Sequence, residues 1–224
     1  MENRIYEIYQ KLYQAYGPQG WWPFLDEKGE AIYHKGDYSF PHSSLETFEV
    51  CLGSILTQNT TFTSVVKSLQ NLKTKKALSP SAIKALDREV LKEAIRPSGY
   101  FNQKSRYILA FIAFYEALGG GIPSRDELLS VIGIGEETAD SMLLYGYKIK
   151  EFKVDTYTKR MLVHLGLIDE KAKYRDIKKL IQEALESVED QKQSLVVYQE
   201  FHALIVCHAK RYYSKKPYGK GCFL

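Results

Sequence analysis

Helical spacing governs almost all of this 224-residue chain. In the first sixteen residues Ile5, Ile8, Tyr9, Leu12 and Tyr16 share one face of a 3.6-residue period, and Gly17-Pro18 ends the run. Similar periods recur as far as QSLVVYQEFHALIVCHAKRYY, and no stretch of strand length alternates apolar with polar residues. The pattern predicts an all-α protein of about ten helices. Ser43-x-x-Glu46 and Ser124-x-x-Glu127 read as capping boxes, and Ser79-Pro80 as a helix start whose first turn tolerates proline. Residues 21–42 are turn-rich and irregular.

A chain of this length suits one or two small domains. Its 45% hydrophobic content belongs to a soluble globular protein and excludes a disordered one. No apolar run is long enough to span a bilayer, so no membrane partner is expected. The opening MENRIYEIYQ lacks the apolar core of a signal peptide, which predicts a cytoplasmic location. Cys51, Cys207 and Cys222 are too few for a disulfide framework or a four-thiolate metal site. The net charge of +4 is compatible with nucleic acid, but a basic helix face is as often merely solvated.

The most informative segment is LLSVIGIGEETADSMLLYGYKIKEFKVDTYTKRML. Gly133-Ile134-Gly135 predicts a tight turn between two short helices, with Thr138-Ala139 early in the second. Two glycines one residue apart let the backbone bend, and amides at a helix start can face a phosphate oxygen. Gly133, Gly135 and Thr138 are therefore candidate phosphate-binding residues. Such contacts position a duplex without reading its sequence. Taken alone, the glycine pair fits an ordinary helix-turn-helix corner equally well. About twenty residues on, Val154-Asp155-Thr156 begins another helix.

These segments together resemble the helix-hairpin-helix DNA glycosylases of the endonuclease III superfamily. The hairpin V-I-G-I-G-E-E-T-A is similar to that family's L-x-G-[IV]-G-x-x-T-A, and K-V-D-T to its V-D-T. I-L-T-Q, ending at Gln58, resembles the family's early L-[ST]-x-Q, and S-G-Y-F-N-Q-K its G-[LFY]-[YF]-N-x-K. The resemblance implies two helical domains with a cleft between them. Residues 43–151 would carry the hairpin, and residues 1–42 plus 152–224 would form the second domain. It also implies a monomer acting on damaged double-stranded DNA, associated with the nucleoid, with Gln58 filling the gap left by an everted base.

The resemblance makes Asp155 the catalytic carboxylate. Breaking an N-glycosidic bond builds positive charge on the sugar, which a nearby anion stabilises. An aspartate there is also a common helix N-cap, and the two uses are compatible. Family members that also cleave the strand place a lysine just before the hairpin Thr-Ala, where it forms a Schiff base. Glu137 stands at that position and has no amine, which implies a monofunctional enzyme using water. Lys148, Lys150 and Lys153 leave a displaced amine open.

Trp21-Trp22-Pro23 and Gln58-Asn59-Thr60-Thr61-Phe62 resemble the 3-methyladenine DNA glycosylases built on the endonuclease III scaffold. That resemblance implies a base pocket of Trp22, Pro23 and Phe62 for a cationic alkylated purine, which an electron-rich ring face favours. Without it, the tryptophans and Phe62 read as core residues. Many endonuclease III relatives hold an iron–sulfur cluster on C-x6-C-x2-C-x5-C. The tail from Cys207 to Cys222 lacks that spacing, so no cluster, metal or other cofactor is expected. His202 and His208 lie six apart, off one helix face, and do not read as a metal pair. Two other functions remain open: a glycosylase for oxidised pyrimidines or mismatches with AP lyase activity, and a non-catalytic DNA-binding protein.

Overall fold

A computed structural model describes residues 2–187 and 195–224. Eleven α-helices account for most of the described residues: α1 (Glu2–Tyr16), α2 (Ser44–Leu56), α3 (Phe62–Thr74), α4 (Pro80–Ala85), α5 (Arg88–Ile95), α6 (Phe101–Ala117), α7 (Arg125–Ser130), α8 (Glu136–Ser141), α9 (Thr156–His164), α10 (Tyr174–Glu186) and α11 (Leu195–Tyr212). The fold is all-α, as the periodicity predicts. The irregular segment contributes one small antiparallel sheet, β1 (Phe24–Leu25) paired with β2 (Ala31–Ile32). Among the described residues, no helix is long and apolar enough to cross a membrane.

Local chemistry explains the helix starts. The hydroxyls of Ser43, Thr61 and Ser79 accept from Glu46, Ser64 and Ala82 amides, and Asp87 caps α5 through the Glu89 and Val90 amides. Ser124 and Glu127 form the complete capping box expected there. At the other expected box, Glu46 reaches the His42 amide, one residue before the cap, so only half of the motif forms.

The chain divides into two units. One comprises Trp22–Tyr33 and Ser39–Tyr147. Its central helix is α2, where Phe48, Val50, Cys51, Leu52, Ile55 and Leu56 are all buried. Helices α3 and α6 pack on it, as does a π-helical turn, Met142–Gly146, that continues α8. Each fully buried Leu, Ile or Phe contributes about 1.5–3 kcal/mol. The other unit comprises Met1–Trp21, His34–Tyr38 and Lys148–Leu224. Helix α11 is its spine, with Phe201, Leu204 and Ile205 buried; α1 and α9 pack against it, and α10 packs on α1.

This division departs from the expected boundaries in three places: residues 148–151 fall outside the hairpin unit, and residues 39–42 and 22–33 fall inside it. Residues 22–33 belong to the hairpin unit and not with residues 1–21. The reason is packing: the Trp22 ring meets Phe62 and Tyr145, and the Gln70 amide donates to the Gly29 carbonyl at 2.8 Å.

Candidate active site

In the first unit, α7 and α8 flank the Gly133-Ile134-Gly135 turn, and the two glycines differ in kind. Gly133 has φ +86°, and a Cβ there would sit 2.1 Å from Cγ of Tyr107. The fold itself requires glycine at this position. Gly135 has φ −93° and ψ 177°, ordinary extended backbone, and a Cβ there would meet nothing within 4 Å. Gly135 is exposed and is the N-cap of α8. Arg125 braces the hairpin across its base, with Nε donating to Oδ1 of buried Asp140 at 2.7 Å.

Gln58 belongs to this assembly. Its side-chain amide donates to the Gly133 carbonyl at 2.9 Å and to Oγ1 of Thr138 at 3.0 Å. Thr138 is buried, and its hydroxyl is engaged by Gln58. Lys104 supports the same loop from beneath. Its Nζ donates to the carbonyls of Leu56 and Ser98, both at 2.7 Å, with the side chain 1% exposed. Burial lowers its pKa to about 8. The lysine of the S-G-Y-F-N-Q-K segment is thus a strut between the end of α2 and the turn before α6. Next to it, Tyr100 is exposed at φ 47°, in the left-handed region that side chains avoid.

The aromatic candidates gather in this unit too. Trp22 and Phe62 meet edge to face, with centroids 5.5 Å apart and planes at 78°, and Tyr145 lies 5.8 Å from Trp22. Gly53 makes room for the indole, because a Cβ there would approach its Cζ2 to 2.9 Å. Trp22 and Pro23 are buried and Phe62 is half-buried. Glu137 is exposed in the first turn of α8.

Asp155 lies in the other unit, as the N-cap of α9. Its Oδ1 accepts from the Thr158 amide at 2.7 Å and the Thr158 hydroxyl at 2.9 Å. Its Oδ2 faces Nε2 of His202 on α11 at 3.5 Å. The carboxylate is 14% exposed and the imidazole 1%. Burial alone would raise the carboxyl pKa. The hydrogen bond and charge of His202, the charge of Lys153 and the Thr158 amide outweigh it, and hold Asp155 well below the usual carboxylate range. Trp21 sits edge-on to His202, centroids 6.1 Å apart. Two residues before His202, Glu200 accepts from the Gln19 and Gly20 amides at 2.8 and 3.3 Å, which fixes the backbone leading to Trp21.

The structure thus groups Gln58, Gly133 and Thr138 in one contact set and Trp22 with Phe62 in another, while Asp155 belongs to the other unit. Sequence reasoning named Trp21 only beside Trp22 and His202 only to set it aside as a metal ligand; it missed the pairing of His202 with Asp155, and Glu200 altogether. For His202 and Glu200 the signal was two polar residues on the apolar face of α11.

The C-terminal thiols do not fit an iron–sulfur cluster. Cys207 and Cys222 are the only cysteines of their unit, and Cys222 Sγ is contacted by Nε2 of His208 at 3.1 Å and the Tyr213 hydroxyl at 3.4 Å. Among the described residues, no three His, Cys, Asp or Glu side chains are grouped to hold a metal ion.

Residues 52–187 match the model of the HhH-GPD superfamily of base excision DNA repair proteins. The chain belongs to this superfamily. It is 38% identical to a putative DNA repair glycosylase of Methanocaldococcus jannaschii over 97% of its own length and 92% of that protein's. It is 31% identical to endonuclease III of Sulfolobus acidocaldarius, covering 79% of each. Among solved structures, it matches the H. pylori 3-methyladenine DNA glycosylase bound to 1,N6-ethenoadenine, with a TM-score of 0.71 and 28% identity over 92% of this chain and 97% of that one. An endonuclease III–DNA covalent complex shares the HhH-GPD fold at a TM-score of 0.75 and 17% identity, covering 99% of this chain and 92% of that one.

Proposed function

We propose that this base-excision repair glycosylase is monofunctional and removes alkylated purines such as 3-methyladenine from duplex DNA. The observation that carries the reading is Asp155, an anion with both oxygens engaged and its basicity suppressed. Such a carboxylate is a poor proton acceptor and a good fixed charge. It would stabilise the oxocarbenium-like sugar as the base departs and orient the attacking water. An alkylated purine already carries positive charge, so it leaves without strong protonation by the enzyme.

The edge-to-face pair of Trp22 and Phe62 supports the choice of base. It offers stacking of about 1–3 kcal/mol and a cation–π contribution to a charged purine. The H. pylori relative named for 3-methyladenine, similar over nearly its whole length, points the same way. The exposed position of Gly135 at the start of α8, with open space where a side chain would stand, supports a backbone grip on the phosphodiester, and endonuclease III structures solved with DNA agree with a DNA substrate. Glu137, in place of the lyase lysine, supports water as the nucleophile.

The test is base release from methylated duplex DNA. Asp155→Asn removes the charge and keeps an N-cap acceptor, because Asn caps helices as well as Asp does. The variant is expected to fold normally and to lose roughly 100- to 1000-fold in rate. A folded variant with wild-type rate overturns the role of Asp155. A second reading, with lyase activity, is favoured by Lys153, an amine 6% exposed whose charge acts on Asp155. Borohydride reduction on abasic DNA decides between them: a trapped covalent adduct supports the lyase, and no adduct the monofunctional enzyme.

A further inference from the structure

The pairing of Asp155 with a histidine from a helix that no motif marks has a consequence for the reaction. His202 is buried on α11, with Nε2 3.5 Å from Oδ2 of Asp155, while Oδ1 is held by Thr158. Trp21 covers the imidazole edge-on. Other ionisable groups lie near the pair. Lys153, on the segment leading into α9, acts on Asp155. Glu200, on α11 itself, is held by the Gln19 and Gly20 amides and by Tyr38, and is faced from α1 by Tyr9.

We propose that His202 is a positioning residue of the glycosylase reaction: its imidazole orients Asp155 through Oδ2, and its protonation state sets how much negative charge that carboxylate presents to the sugar. The inference rests on the reading of Asp155 as the reaction's carboxylate. As imidazolium, His202 partly neutralises the anion beside it. As neutral imidazole it stays against Oδ2 and leaves the negative charge intact. Base release therefore accelerates as His202 loses its proton. The ionisation expected in the acid limb of the rate profile belongs to the pair and not to the carboxyl group alone. The depressed basicity of Asp155 agrees, because the carboxylate itself stays ionised throughout that range.

The experiment is single-turnover release of alkylated purine from methylated duplex DNA by the full chain, between about pH 5 and 8, where histidines change charge. The wild type is expected to show one proton dissociating as its rate climbs. His202→Gln keeps an N–H donor without the charge, so its rate should be flat with pH and exceed the wild type at the acid end. His202→Leu loses the polar contact that orients Oδ2 and should fall about tenfold or more at every pH. A His202→Gln protein that keeps the wild-type limb, or a His202→Leu protein at wild-type rate, overturns the proposal.

A second measurement does not depend on these variants folding. Nuclear magnetic resonance titration of the His202 ring should show it releasing its proton at lower pH in Asp155→Asn than in the wild type. An unchanged midpoint overturns the pairing. The underlying reading fails separately, if Asp155→Asn itself releases base at the wild-type rate.

Discussion

Two glycines in the hairpin answer to different constraints, although the motif writes them alike. Gly133 is held by φ +86° and by the Tyr107 ring where a Cβ would go. At Gly135 a Cβ would meet none of the described residues within 4 Å. Gly133→Ala should therefore lower thermal stability by more than about 1 kcal/mol, with strain at a positive φ as the mechanism. Gly135→Val should leave the melting temperature within a few degrees of wild type and weaken duplex binding, because the added side chain stands in front of the α8 amides. Calorimetry and a DNA-binding titration on both variants separate the two causes. Equal loss of stability in both would contradict the distinction. Asp155 shows the converse economy, because the side chain that caps α9 is also the carboxylate proposed to face the sugar.

At the scale of elements, the end of α2, the turn before α6 and the hairpin are tied together by polar side chains crossing between them. Lys104 bonds the Leu56 and Ser98 carbonyls, and Gln58 bonds Gly133 and Thr138. Burial gives Lys104 a measurable signature. The unfolded chain keeps the lysine proton up to about 10.5, whereas the folded protein releases it near 8. Between these values the unfolded state binds more protons, so this group makes stability rise with pH, by up to about 1.4 kcal/mol per unit. Lys104→Met should abolish that rise and lower stability overall by about 1–3 kcal/mol, because two buried carbonyls lose their donor. Melting temperatures at about pH 8 and about pH 10 test it; a variant with the wild-type slope would assign the pH response elsewhere. The S-G-Y-F-N-Q-K segment shows in sequence as a motif, but its work as a strut follows from the burial of the ammonium group, which no spacing reveals.

At the scale of the whole molecule, the groups assigned to the base and to the DNA backbone belong to one unit, and the carboxylate assigned to the sugar to the other. Phe62→Ala should accordingly weaken selection of the alkylated base more than it slows the chemical step. Loss of one stacking partner predicts roughly 5- to 100-fold lower kcat/KM on methylated duplex, chiefly through KM. An unchanged kcat/KM would return Phe62 to a core role. The all-α fold, the helix starts, the hairpin and the N-cap position of Asp155 were legible in the sequence, because helical period, capping chemistry and positive-φ glycine are local properties carried by neighbouring residues. The companions of Asp155 were not. His202 and Glu200 lie on a helix whose apolar period reads simply as core, and the Trp22 segment reads as irregular until Gly53, Phe62 and Tyr145 are seen to receive the indole. Contacts between residues far apart in the chain depend on which helix faces pack together, and only the tertiary structure decides that.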